Sequence, residues 1–312
     1  MSESSRAGIS SWQLLCLLLL SHFAAEFVSA QSGSGLTGGA VIAEIAAEAI
    51  RFALALPVII YSFKGNDFYG AARRKSRVIG AVTSFGAVLL LASAAVKTLS
   101  ETSKFAARNL LPKQSPWLIA VILAAFAVYA AYTGAEAIAR SGAILLIAAG
   151  IAVAFTVIAD IPYMKIPRFG QEYDGFFGEL VRRLLCGGDY LIFAALLPYV
   201  KPAKRLSAGL CGVMYALFGA LASTLLTGAC LLTLGEFFGL AEYPLTAAAS
   251  LADIAVFKRL DGLLSAVLAL CAALRAGLLL FCAWSVLREF AAAFKRSKVT
   301  KSAKASDNGS AE

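Results

Sequence analysis

Several charged side chains stand inside long runs of apolar residues. Glu44, Glu48 and Arg51 are spaced i, i+4 and i+7, which puts them on one helical face. His22 and Glu26 share a face at i, i+4 in an earlier run. Asp189 follows Gly187 and Gly188, and adjacent glycines weaken a helix by about 1 kcal/mol each. Arg275 lies near the middle of the run from 260 to 288, too deep for its side chain to snorkel out. A charge in an apolar layer costs about 2.5–3.5 kcal/mol on insertion scales, so it must be paired, hydrated or in contact with a ligand. For Glu44, Glu48 and Arg51 a self-neutralising pair facing a bundle interior is a sufficient account. A glycine pair can also serve only to let helices pack closely, but packing does not explain the carboxylate beside it. Broken helices of transporters turn unwound backbone and half-helix ends toward a ligand. Arg275 needs an anionic partner, and Asp189 and Glu26 are the candidates. The candidate ligand-binding set is His22, Glu26, Gly187, Gly188, Asp189, Tyr190 and Arg275.

The chain carries no GxSxG, HExxH or GxxxxGK, so no enzyme is expected. His22 is the only histidine, and the six cysteines, all within apolar runs, show no CxxC spacing. They are expected as small buried residues, with no metal and no cofactor.

These side chains need elements to hold them. The 312 residues are 60% hydrophobic and 15% charged, with mean hydropathy +0.78, against about 45–50% and about 25% in soluble domains. The apolar residues come in blocks of about 20, the length of a membrane-crossing helix. Backbone groups in lipid must pair within the protein, which leaves helices or closed barrels. Strand-length alternation is absent, so the expected class is an all-α integral membrane protein. Eight spans are predicted at about 11–30, 38–62, 78–99, 117–133, 141–159, 176–199, 207–233 and 260–288. A cytoplasmic N-terminus (1–10), a transmembrane domain (11–290) and a basic, disordered cytoplasmic tail (291–312) complete the organisation.

The net charge of +9 sits in short clusters between the apolar blocks and in the tail. That pattern fits topology signals and anionic-lipid contacts, not nucleic-acid binding. Arg73–Arg77, Lys201–Arg205 and the tail put both termini in the cytoplasm. Lys97, Lys104, Arg108 and Lys113 vote against this, unless part of their connection extends the third helix. Arg6, Leu14–Leu20 and Val28-Ser29-Ala30 also allow a cleaved secretory signal.

Gly134-Ala135-Glu136-Ala137-Ile138-Ala139-Arg140 resembles the G-x-E-V-I-A-R turn of the spore germination permease family, the B subunit of nutrient-germinant receptors. That family belongs to the amino acid–polyamine–organocation transporter superfamily. Four other stretches are similar in order and spacing. Gly188-Asp189 followed by Leu196-Leu197-Pro198-Tyr199-Val200-Lys201 resembles the family's G-E and L-P-Y-x-K. Tyr243-Pro244 resembles its Y-P, and Phe257-Lys258-Arg259-Leu260-Asp261 its F-E-R-L-D. Ile9-Ser10-Ser11-Trp12-Gln13-Leu14 resembles its I-S-x-x-Q-L, which favours a retained first helix.

The resemblance covers about residues 9–290. It implies a five-plus-five inverted-repeat fold with broken first and sixth helices, here shortened to eight spans. It implies a subunit in the inner spore membrane that binds a small nutrient such as an amino acid at the bilayer midplane and works with other germinant-receptor subunits. Gly134, Glu136 and Arg140 would serve cytoplasmic gating or docking. Two departures stand out. The last two helices of the second repeat are missing, and Asp189 and Arg275 replace the usual Glu and Lys. The charge signs persist, but an arginine does not deprotonate readily. The rival functions are an active secondary amino-acid transporter and a structural membrane subunit without a ligand.

Overall fold

A computed structural model describes residues 8–28, 39–63, 68–165, 176–186, 188–200, 205–251 and 261–308, with no side-chain description at 73, 74, 77, 185, 186, 205, 206 and 293–308. The described residues are almost all helical and contain no strand. The helices are α1 (Ser11–Val28), α2 (Gly39–Phe63), α3 (Phe68–Lys75), α4 (Arg77–Asn109), α5 (Pro116–Thr133), α6 (Ala135–Asp160), α7 (Phe176–Cys186), α8 (Asp189–Leu196), α9 (Arg205–Leu234), α10 (Pro244–Leu251) and α11 (Asp261–Asn308).

Among the described residues, six stretches are long and apolar enough to cross a membrane: Ser11–Val28, Val78–Asn109, Pro116–Thr133, Ala135–Tyr163, Ser207–Gly239 and Asp261–Ala292. Two of the eight predicted spans are not among them. The second is α2, a 25-residue helix carrying Glu44, Glu48 and Arg51. The sixth is split into α7, with 11 residues, and α8, with 8, each too short to cross alone.

Two helices form the centre. The apolar windows of α1 and α11 are 72% and 78% buried, whereas those of α4, α5, α6 and α9 are at most 28% buried. The outer helices turn Ile, Leu and Phe side chains outward, as lipid-facing helices do. α11 packs on α4, α5, α6 and α1, and α2 packs on α9 and α7. Small residues let backbones approach. A Cβ on Gly277 of α11 would lie 2.8 Å from the Ala130 Cβ and 3.1 Å from the Ala127 carbonyl oxygen of α5.

The ends of the bundle are defined by cross-links. The Ile9 amide donates to the Tyr199 carbonyl at 3.0 Å, and the Ser11 hydroxyl meets that of Ser207. The Tyr199 hydroxyl is 2.8 Å from the Ser285 hydroxyl of α11. The start of α1, the end of α8, the start of α9 and the late part of α11 therefore share one end. The α5–α6 turn belongs to the same end, for it borders one groove with Tyr199 and Trp284. At the other end Arg108 of α4 pairs with Glu242, and Phe105 packs on Tyr243 with ring centroids 5.0 Å apart.

The connection holding Lys97, Lys104 and Arg108 is largely helical, because α4 runs on to Asn109. α11 also runs further than expected, to Asn308, where composition predicts a disordered tail. Between Gly277 and Asn308 there is no glycine or proline, and alanine and lysine are good helix formers, so nothing local stops it.

Candidate functional site

The sixth apolar run is interrupted where the glycine pair Gly187-Gly188 stands, as expected. α7 ends at Cys186 and α8 starts at Asp189, with Gly188 as N-cap (φ −165°, ψ 6°). Its carbonyl accepts from the Leu191 amide at 2.9 Å. Gly187 lies outside the described residues, as do Gln31–Gly35, a stretch too polar to continue an apolar helix and so expected as either a loop or a second break. The break sets the Asp189 carboxylate in the first turn of a new helix, where the positive end of the helix dipole favours an anion.

Around Asp189 four elements converge. Ser21 of α1 donates to Oδ1 at 2.6 Å, and Tyr215 of α9 donates to Oδ2 at 3.1 Å. His22 Nδ1 lies 3.6 Å from Oδ2, and Arg275 Nη2 of α11 lies 3.8 Å from Oδ1. The arginine reaches the carboxylate mainly through a relay: Arg275 Nε donates to Ser21 at 3.0 Å, and Ser21 donates onward to Asp189. Arg275 Nη1 also donates to Thr98 of α4 at 3.2 Å. His22 Nε2 donates to Ser223 at 2.6 Å, since the Ser223 hydroxyl itself donates to the Gly219 carbonyl at 2.8 Å.

A second cluster adjoins the first. Arg183 of α7, fully buried, lies 2.8 Å from Glu26 of α1 and 2.8 Å from Glu179 one turn earlier, and it also pairs with Glu44 of α2. Arg51 of α2 pairs with Glu48, approaches Glu26 at 3.3 Å, and donates to the Arg183 carbonyl. His22 joins the clusters, its Nε2 lying 3.6 Å from Glu48. Breaking one partner out of such a buried set costs about 3–5 kcal/mol, because the other charge is left uncompensated.

Of the residues singled out in the sequence, His22, Glu26, Gly188, Asp189 and Arg275 lie in one connected network. Tyr190, half-buried, borders a small cavity with Glu48, Arg51, Asp189 and Tyr215. The cavity measures about 20 Å³. That is room for about one water, far below the roughly 300 Å³ of a small-molecule pocket. The network is therefore closed around its own charges. Of Arg275's two candidate partners, Asp189 faces it, whereas Glu26 is held by Arg183 and Arg51. Within α2, Glu48 and Arg51 form a buried pair facing the bundle interior, as a self-neutralising pair would, and Glu44 reaches across to Arg183 of α7.

Sequence reasoning missed Arg183 and Glu179, the centre of the second cluster. Their signal was available as a Glu and an Arg four apart inside the sixth apolar run. Ser21, Thr98, Tyr215 and Ser223 gave no signal, since a lone hydroxyl in an apolar helix usually bonds its own backbone.

Gly134, Glu136 and Arg140 lie away from this site, at the single-residue turn joining α5 to α6. Gly134 has φ +91°, a conformation that strains other residues. Glu136 and Arg140 form an exposed i, i+4 pair. No protein-family model matches the chain, and no curated protein is significantly similar to it.

Proposed function

We propose that this multi-pass membrane protein is a receptor-type subunit of the spore germination permease kind. It binds a small zwitterionic nutrient, an amino acid foremost, between Asp189 and Arg275. The observation that carries the reading is the α7–α8 break, which delivers a buried carboxylate to α1, α9 and α11 at once. Asp189 and Arg275 face each other at 3.8 Å without a direct hydrogen bond, bridged by one hydroxyl. An ammonium on Asp189 and a carboxylate on Arg275 would replace that bridge and leave no charge unpaired. In this reading ligand binding loosens the compact network and shifts a conformational equilibrium. Such a shift requires different affinities for the two states.

In this reading α2 crosses the membrane despite its charges, and α7 and α8 cross together, giving eight spans of a shortened inverted-repeat fold. The basic end, with both termini, faces the cytoplasm. Other receptor subunits would sense the change of state.

A second reading, a structural subunit without a ligand, is favoured by the small cavity and by the internal pairing of Asp189. A thermal-shift panel on the detergent-solubilised protein separates the two. Receptor function predicts stabilisation by one or more zwitterionic amino acids and none by their amine-only or carboxylate-only analogues. Absence of stabilisation across the panel leaves the structural subunit. Uptake into proteoliposomes driven by an ion gradient would replace the receptor by a transporter.

A further inference from the structure

A groove of about 1020 Å³ opens at the basic end, between the last turn of α5, the start of α6 and the late part of α11. We propose that it binds one anionic phospholipid. The site is separate from Asp189 and does not depend on the function proposed above.

The lining is ordered like the ligand. On α11, Phe281, Trp284 and Arg288 fall at i, i+3 and i+7, one face that passes from apolar to cationic toward the end of the bundle. On α5, Val128 precedes Tyr132 in the same direction, and Arg140 of α6 follows beyond the turn. A phospholipid presents acyl chain, glycerol and phosphate in that sequence. Trp284 and Tyr132 are 63% and 90% exposed, at the level where aromatic side chains mark the boundary between hydrocarbon and headgroups. Arg288 is exposed and has no ion-pair partner among the described residues, whereas Arg140 is paired with Glu136. The two arginines against one carboxylate leave the groove with an excess positive charge, which selects an anionic headgroup. The apolar half meets acyl chains in any bilayer, so only the headgroup remains to be chosen.

The test uses brominated lipids as contact quenchers. The chain has three tryptophans, and Trp12→Phe with Trp117→Phe leaves Trp284 as the reporter. The full chain is placed in phosphatidylcholine nanodiscs containing a minor fraction of either brominated phosphatidylglycerol or brominated phosphatidylcholine. Arg140 is offset by Glu136, so one unpaired cation remains, worth about 1 kcal/mol near an anionic headgroup, which is about fivefold in occupancy. Brominated phosphatidylglycerol should therefore quench Trp284 at a fraction about fivefold lower than brominated phosphatidylcholine. Arg140→Gln with Arg288→Gln should abolish the difference, and Arg288→Lys should retain it. Both arginines are exposed, so these variants keep the fold, and unchanged helicity by circular dichroism checks that. Equal quenching by the two lipids overturns the proposal, and so does a preference that survives the double substitution. A protein occupant would give quenching indifferent to headgroup, which also overturns it.

Discussion

Arg183 and Glu26 are separated by 157 positions in the chain, yet their side chains lie 2.8 Å apart with Arg183 wholly buried. The pair fastens α7 to α1 one turn before the α7–α8 break. It holds the broken end of α7 still while Asp189 is presented from α8. Arg183→Met should take from Glu44 the cation it pairs with and from Glu26 and Glu179 one of two, since Arg51 still faces Glu26 and Arg182 still faces Glu179, at a cost of about 3–5 kcal/mol. Thermal unfolding in detergent should show a marked fall in Tm. Adding Glu26→Gln and Glu44→Gln should recover part of it. An unchanged Tm in the single variant would remove the cluster from any structural role.

Glycine matters at Gly277 and not at Gly188. A side chain at Gly277 meets α5 backbone, and overpacking of this kind costs about 1–3 kcal/mol, so Gly277→Leu should lower Tm. Around Gly188 a Cβ meets nothing within 4 Å, and φ is extended. Gly188→Ala should stay within about 0.5 kcal/mol of the parent. The opposite order of the two Tm values would contradict the described packing.

Orientation is testable by labelling. In a variant without the native cysteines, Gln114→Cys should react with an impermeant maleimide in intact cells. Glu136→Cys, at the opposite end of the bundle, should react only after permeabilisation. The reverse pattern would place the basic end outside.

The exposed pair of Glu136 and Arg140 should contribute only about 0.3–0.5 kcal/mol to stability. Glu136→Arg with Arg140→Glu should therefore leave Tm within error of the parent while changing any docking at that turn. A large loss of stability would make the pair a fold determinant instead.

How far the sequence reveals this architecture depends on the range of the interaction. The runs that became α1, α5, α6 and α9 are visible because hydrocarbon demands long apolar segments, and composition reports that directly. The break before Asp189 is visible because adjacent glycines act locally. The Arg183 cluster is hidden for the opposite reason. Its partners come from α1 and α2, and average hydropathy over 176–199 conceals Glu179, Arg182 and Arg183 among apolar neighbours. The relay through Ser21 is invisible in the chain, because nothing in a serine's neighbours along α1 says that it will sit between Asp189 and Arg275. The closed state of the site is likewise set by side-chain contacts among helices far apart in sequence.

The central claim is that Asp189 and Arg275 grip the two charged ends of a small zwitterion. Equilibrium binding of radiolabelled amino acids to the purified chain and to Asp189→Asn tests it most directly, with the Tm of each sample recorded alongside. The account predicts saturable binding by the parent for at least one amino acid. It predicts loss of that binding in Asp189→Asn at a Tm low enough to show the lost partners of Ser21 and Tyr215 but with the fold retained. Binding of equal affinity in Asp189→Asn, or no binding of any zwitterion by the parent, would contradict it.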